Sequence, residues 1–141
     1  MLKRIAKNEK GQAMVEFALI LPLLILLLCG IIDFGWIFGN QLILNNAGRD
    51  TARTMAINYD ITWTADEADD ETLLIFQDRL GAGNYLNNAN LDVDSTLSGS
   101  GTESKVTVTA TYPLPFLTPL LSTVLQQTTI DITTETTMRL E

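Results

Sequence analysis

The chain has 141 residues, 46% of them hydrophobic but only 7% aromatic and 18% charged, which is room for one modest domain. Nine Lys and Arg against 17 Asp and Glu give a net charge of −8, unevenly placed: residues 1–11 carry +3 and the remaining residues −11. A folded part this acidic excludes a nucleic-acid partner, because neutralising phosphates takes a basic face. With no histidine and a single cysteine, Cys29, the sequence also excludes Cys/His zinc sites, His-dependent nucleophilic catalysis and an intramolecular disulfide. An enzyme built on carboxylates alone is left as a remote alternative, and no cofactor is implied.

After the basic head, Phe17 to Ile32 is an uncharged and almost wholly apolar run, bounded by Glu16 and Asp33. A helix needs about 20 residues to span a hydrocarbon core of ~30 Å. Ala13 to Phe38 meets that length if Glu16 and Asp33 sit near the interfaces or are paired. Basic residues before the span and acidic ones after it predict a cytoplasmic N-terminus and a C-terminal domain on the far side. Pro22 lies inside the run, where its missing N–H and its ring predict a kink.

Three fates for the head compete. Cleavage as a secretory signal lacks a small-residue site beyond the apolar region, and Leu26-Leu27-Leu28-Cys29 does not fit a lipoprotein signal. A plain uncleaved anchor leaves Glu16 at the helix N-terminus, where the macrodipole favours an anion. Cleavage on the cytoplasmic side, before the apolar segment, would resemble the processing of type IV pilin precursors; after Gly11 it makes Gln12 the new N-terminus and Glu16 the fifth residue. The Glu16 carboxylate then has a partner, the α-ammonium of a neighbouring subunit, which offsets the cost of a charge in an apolar helix.

Gly11-Gln-Ala-Met-Val-Glu-Phe-Ala-Leu-Ile-Leu-Pro-Leu-Leu, with Gly30-Ile-Ile-Asp-Phe-Gly and Leu44-Asn-Asn-Ala-Gly-Arg-Asp-Thr-Ala-Arg53, resembles the TadE-like family, minor pilins or pseudopilins of the tight-adherence (Tad/Flp) type IV pilus system. The resemblance covers residues 11–56. Met138-Arg139-Leu140-Glu141 is similar to C-termini of that family in a less specific way. The resemblance implies a prepilin peptidase cutting between Gly11 and Gln12, and Glu16 as the assembly and register residue. Phe17 stands where Flp pilins usually carry Tyr, so ring packing survives without the hydroxyl. The implied partners are other pilin subunits (a major pilin and a second minor pilin), the peptidase, the inner-membrane platform of the pilus and membrane lipid. The implied place is the bacterial cytoplasmic membrane, then the cell surface, with a role in pilus assembly and adhesion. The alternative is a single-pass assembly factor that never enters the filament. The peptidase is a separate enzyme, so no catalytic residue is implied in this chain.

Beyond the membrane the helix is predicted to run to about residue 57, with small residues Ala47, Gly48, Thr51, Ala52 and Ala56 on one side for close approach of a sheet or helix. Arg49 and Arg53 share a face at i,i+4. They read either as a solvated or locally paired basic face or as an inter-subunit contact to an acidic neighbour. Residues 58–64 break the pattern, and Thr64-Ala-Asp-Glu67 is a capping box with Trp63 ahead of it. It opens a second helix with Ala65, Ala68, Thr72, Leu73, Phe76 and Leu80 on one face and Gly81 as its stop. Its acids, Asp66, Glu67, Asp69, Asp70 and Glu71, suit the helix dipole and solubility. Scattered round a helix, they do not converge on calcium.

Leu91 to Asp94 alternates as a short strand, Ser95 to Ser104 reads as a Gly/Ser loop, and Lys105 to Tyr112 alternates as a half-buried strand, making a hairpin. Pro113, Pro115 and Pro119 argue against a following strand. The apolar stretch from Phe116 to Leu125 reads as one or two helical turns, either core or a subunit contact. Thr129 to Leu140 alternates again, with Ile130, Ile132, Met138 and Leu140 on one face and Asp131, Thr133, Glu135 and Arg139 on the other. The expected fold is α+β: a long N-terminal helix, transmembrane in its first half, packed on a small antiparallel β-sheet with a second short helix, the type IV pilin layout. Its parts are a cleaved leader (1–11), a transmembrane segment (12–38) and an extracytoplasmic domain (39–141).

Overall fold

The structure is a computed structural model and describes residues 9–58, 62–81, 84–86, 89–99 and 103–140. Most of the leader, parts of the breaks before and after the second helix, the middle of the Gly/Ser loop and the terminal Glu141 lie outside these residues. Helix α1 (Glu9–Asn58) is followed by α2 (Ala65–Leu80), β1 (Asp92–Ser98), β2 (Lys105–Pro115), α3 (Pro119–Leu125) and β3 (Thr129–Arg139). The three strands form one antiparallel sheet in the order β1-β2-β3. This is the expected α+β arrangement.

At 50 residues, α1 is about 75 Å long. It runs unbroken through Pro22 and starts earlier than Ala13, so the Gly11–Gln12 bond lies inside the helix. The helix has two different surroundings. Up to Ile32 its apolar side chains are exposed all round. From Asp33 on, burial recurs every three or four residues, at Asp33, Asn40, Leu44, Ala47, Gly48, Thr51, Ala52, Met55 and Ala56. That spacing is one face of a 3.6-residue helix.

The buried stripe packs on the inner face of the sheet. β2 contributes Val106, Val108, Ala110, Tyr112 and Leu114, β1 contributes Val93, and β3 contributes Ile132, with Leu91 and Leu86 closing the rim. The small residues of α1 let helix and sheet approach closely. A Cβ added at Gly48 would stand 2.9 Å from Thr134 Cγ2 on β3, so no side chain fits there without movement. Among the described residues, Thr51 Oγ1 is a buried polar atom without a hydrogen-bond partner.

α2 covers the rest of that face with Ala68, Thr72, Phe76 and Leu80. Ala65 faces solvent instead of the core, and Leu73 is half-buried, because the buried stripe runs through Ala68, Thr72, Phe76 and Leu80 at every fourth residue and leaves Leu73 on its flank. Both arms of the capping box form: the Thr64 hydroxyl accepts from Glu67 N–H, and Thr64 N–H donates to Glu67 Oε2 at 2.8 Å. Those bonds to the ionised form hold the Glu67 carboxyl below its ordinary 4.5. Gly81 ends the helix at φ +83°, its N–H donating to Gln77 and Asp78 carbonyls.

Two sequence expectations are corrected. The strand beginning near Leu91 does not stop at Asp94 but continues to Ser98, paired in register from Asp92↔Thr111 to Ser98↔Lys105. Polar Ser95, Thr96 and Ser98 are tolerated because this is an edge strand, and Asp69 of α2 accepts hydrogen bonds from Ser95 N–H (2.6 Å) and Ser95 Oγ (2.9 Å) on its open side. Gly99, at φ +92°, begins the turn; a Cβ there would lie 2.5 Å from the Glu103 carbonyl. The second correction concerns Pro113 and Pro115, which lie inside β2 rather than ending it. β1 has finished at Asp92↔Thr111, so the ring nitrogens face an open edge while the even-numbered residues still bond β3, as Phe116 N–H to Thr128 O illustrates. Proline is compatible with a strand where no ladder bond is required.

The outer face of the sheet is polar. Threonine hydroxyls pair across β2 and β3, Thr107 with Thr137 at 2.9 Å and Thr111 with Thr133 at 3.3 Å. The free edge of β3 is partly occupied by Gln41 of α1, whose Nε2 donates to Thr133 O at 2.8 Å. Side chains from helices thus occupy backbone groups on both sheet edges, which discourages edge-to-edge pairing.

Candidate assembly and membrane interface

The first half of α1 presents a continuous apolar surface: Met14, Phe17, Leu19, Leu23, Ile31 and Phe34 are all more than 60% exposed. The helix is long and apolar enough to cross a membrane, and none of its most apolar stretch is covered by the rest of the protein. Exposure on this scale is stable only in a lipid or protein environment.

Gln12 and Glu16 are four residues apart in α1, so they lie on the same face one turn apart. Glu16 and Phe17 are both exposed, and Gly11 is half-exposed. A bond inside a helix is a poor protease substrate, so any cleavage between Gly11 and Gln12 would require the first turn of α1 to open. Gly11 itself lowers the helical preference there. Arg49 and Arg53 sit about 50 Å further along the same helix axis. Both are exposed, and Arg53 borders a shallow cleft shared with Ala56, Ile57, Met138 and Arg139. The structure therefore does not bring the residues singled out in the sequence together. They form two stations, one at each end of α1.

A third station between them was visible in the sequence only as a charge bounding the apolar run. Asp33 is 1% exposed. Its Oδ1 accepts from Leu117 N–H (2.8 Å) and Thr118 N–H (2.9 Å), and its Oδ2 accepts from the Thr118 hydroxyl. These are the amides entering α3, so a carboxylate from α1 satisfies donors that the seven-residue helix cannot. One turn on, Trp36 Nε1–H donates to Pro115 O at 3.3 Å, and Asn40 Nδ2–H donates to Trp36 O at 2.8 Å. Trp36 meets the Tyr85 ring edge-on, and Tyr85 meets Tyr112 in the same way. Desolvation, then the neighbouring Tyr112, raise the Tyr85 phenol above its ordinary 10.0, which keeps it a neutral donor. The partners of Asp33 are more than 80 residues away in sequence, which hid the contact. The readable signal was an unpaired acid at the end of an apolar helix, which by default marks a site.

Residues 11–53 match the TadE-like protein family. No curated protein and no solved structure matches the chain. The match begins at Gly11, includes Glu16, Phe17, Asp33, Arg49 and Arg53, and lies wholly within α1. The helix alone therefore carries the TadE-like segment, and the sheet with α2 and α3 lies outside it.

The acids of α2 have structural partners in two cases: Glu67 closes the cap and Asp69 ties down β1. Across from Asp69, desolvation and the charges of Asp92 and Asp69 push the Asp94 carboxyl above its ordinary 3.8. Among the described residues no group of three or more acids, cysteines or histidines is placed to hold a metal ion.

Proposed function

We propose that this protein is a minor pilin of a Tad-type pilus, structural rather than catalytic. The observation that carries the reading is the coincidence of the TadE-like match with the exposed apolar half of α1: the match opens on Gly11, and Glu16 follows at the offset of a fifth mature residue. On this reading a prepilin peptidase cuts after Gly11 and discards the basic leader. The domain after Asp33 lies outside the cytoplasmic membrane. The α-ammonium of Gln12 in one subunit meets Glu16 of its neighbour, fixing axial register in a bundle whose apolar surfaces alone would permit sliding. Extraction from the bilayer then exchanges lipid for helix contacts without a net change in apolar exposure, which suits a surface apolar on every side. Arg49 and Arg53, on the same helix and outside the bilayer, face the acidic domains of adjacent subunits. Other pilins and the inner-membrane platform are the partners, and surface adhesion is the physiological output.

The competing reading is a single-pass assembly factor that stays in the membrane. Intact-mass measurement of native protein from membrane and sheared-pilus fractions separates the two. A chain starting at Gln12 and present in the pilus fraction is expected. A processed chain confined to the membrane favours the assembly factor, and an unprocessed Met1 form in a peptidase-competent cell refutes processing altogether.

A further inference from the structure

We infer that α3 and the turn leading into it form a second membrane contact, an apolar foot that rests in the outer lipid interface beside α1. The inference rests on the anchor reading of α1 and adds a lipid-binding element far away in sequence, outside the TadE-like segment.

Bilayer thickness fixes the level. With Glu16 at one interface, the ~20 residues needed to cross the hydrocarbon end near Trp36, not at Ile32. The outer boundary then falls at residues 33–36, the stretch of α1 against which residues 115–118 are laid by the Asp33 and Trp36 hydrogen bonds. A carboxylate at that depth is costly if open to lipid. Here it is buried under the turn it holds, which removes the one charge in α1 between Glu16 and Arg49 from the membrane surface.

The composition of the foot matches the level. No charged residue occurs between Lys105 and Asp131. Leu117, Val124 and Leu125 are exposed, and Leu121 is half-exposed. Leu121, Val124 and Leu125 share one helical face at i, i+3, i+4. No residue of α3 is buried, so the helix contributes little to the core, and the side chains of Val124 and Leu125 stand exposed. The Ser122 and Thr123 hydroxyls are turned back onto the Pro119 carbonyl, which lowers the cost of placing them near lipid. The neighbouring side chains are those of an interfacial belt: Trp36 and Tyr85 in contact, and Phe34 stacked with Phe38 at 6.2 Å. An apolar helix at headgroup level beside a membrane-crossing helix is an interfacial anchor. With two contacts the domain is held at one tilt and rotation on the bilayer, whereas α1 alone leaves rotation about its axis free.

The full chain carrying Cys29→Ser and one new cysteine, at Leu24, Val124 or Glu135, is labelled with a polarity-sensitive fluorophore. It is reconstituted in phosphatidylethanolamine/phosphatidylglycerol vesicles. Nitroxide lipid and aqueous iodide are then used as quenchers. The expected result is a blue-shifted probe at Val124, quenched several-fold more by shallow nitroxide lipid than the probe at Glu135 on the outer sheet face. Adding Asp33→Ala should diminish that quenching while leaving the Leu24 probe unchanged. A Val124 probe quenched by iodide alone, or by neither agent because protein covers it, overturns the lipid contact while a lipid-quenched Leu24 probe keeps the anchor. A Leu24 probe beyond the reach of nitroxide lipid refutes the anchor itself.

Discussion

The tightest point of the interface between α1 and the sheet is Gly48 against Thr134, and it supports a quantitative test. Gly48→Ala has two opposed effects. In a helix interior alanine is favoured over glycine by about 1 kcal/mol. The added Cβ, however, would lie 2.9 Å from Thr134 Cγ2 and 3.2 Å from its Oγ1. Thr134 is 5% exposed and held in register opposite Ala110, so it cannot swing into solvent. Overpacking of this kind costs about 1–3 kcal/mol. The net expectation for Gly48→Ala is a loss of about 0–2 kcal/mol. In a Thr134→Ala background both close atoms are gone and the remaining contact, to Cβ at 3.7 Å, is ordinary. There the same substitution should stabilise by the helix term alone, about 1 kcal/mol. The assay is thermal unfolding of the full chain in detergent micelles, followed by fluorescence of Trp36 and Trp63, both half-buried against the core. For a domain of about 100 residues, 1 kcal/mol moves Tm by about 4–8 °C. A coupling of about 1–3 kcal/mol between the two sites is expected. A coupling below about 0.5 kcal/mol, the scatter of independent sites, would refute the close-approach argument.

Three further outcomes follow from single groups, read by the same unfolding measurement. Thr51→Val keeps the volume and replaces an unpartnered buried hydroxyl with a methyl, so stability should rise by about 1 kcal/mol; a fall of several degrees in Tm would mean the hydroxyl is satisfied. Thr64→Ala removes the cap of α2 and should cost about 1 kcal/mol at neutral pH. Because bonds from the Thr64 N–H and hydroxyl depress the folded-state pKa of Glu67, the carboxylate arm of the box is present above 4.5 and is lost as pH falls through the folded value. Thr64→Ala removes only the hydroxyl's share of that arm, so the deficit should narrow in acid without vanishing, the bond from Glu67 N–H to the Thr64 hydroxyl being independent of pH. Asp94 has the opposite sign: its folded pKa is raised, so its carboxylate opposes folding once pH rises past 3.8 and through the raised value. Asp94→Asn should therefore raise Tm at pH 7 and lose that advantage below about pH 3.8, and equal melting at pH 7 would count against the repulsion from Asp92 and Asp69.

The sequence alone determined whatever depends on neighbours in the chain. The apolar run from Phe17 to Ile32, the small-residue stripe at Ala47, Gly48 and Ala52, the capping box at Thr64 and the alternation of β2 and β3 are local periodicities, and each sits in the element it announced. Gly11, Gln12 and Glu16, proposed here as the processing and register residues, were picked out in the same way, by offsets along one segment that the TadE-like match also covers. Only the tertiary structure decided the rest. Pro113 and Pro115 could enter a strand because β1 ends before them, and Ser95 could extend a strand because Asp69 from another element satisfies its edge. Asp33 became the fastening of α3 because its partners arrive from the far end of the chain. A buried charge or an unbonded backbone group is judged by what stands opposite it, and that is set by the packing of distant segments, which local periodicity does not encode.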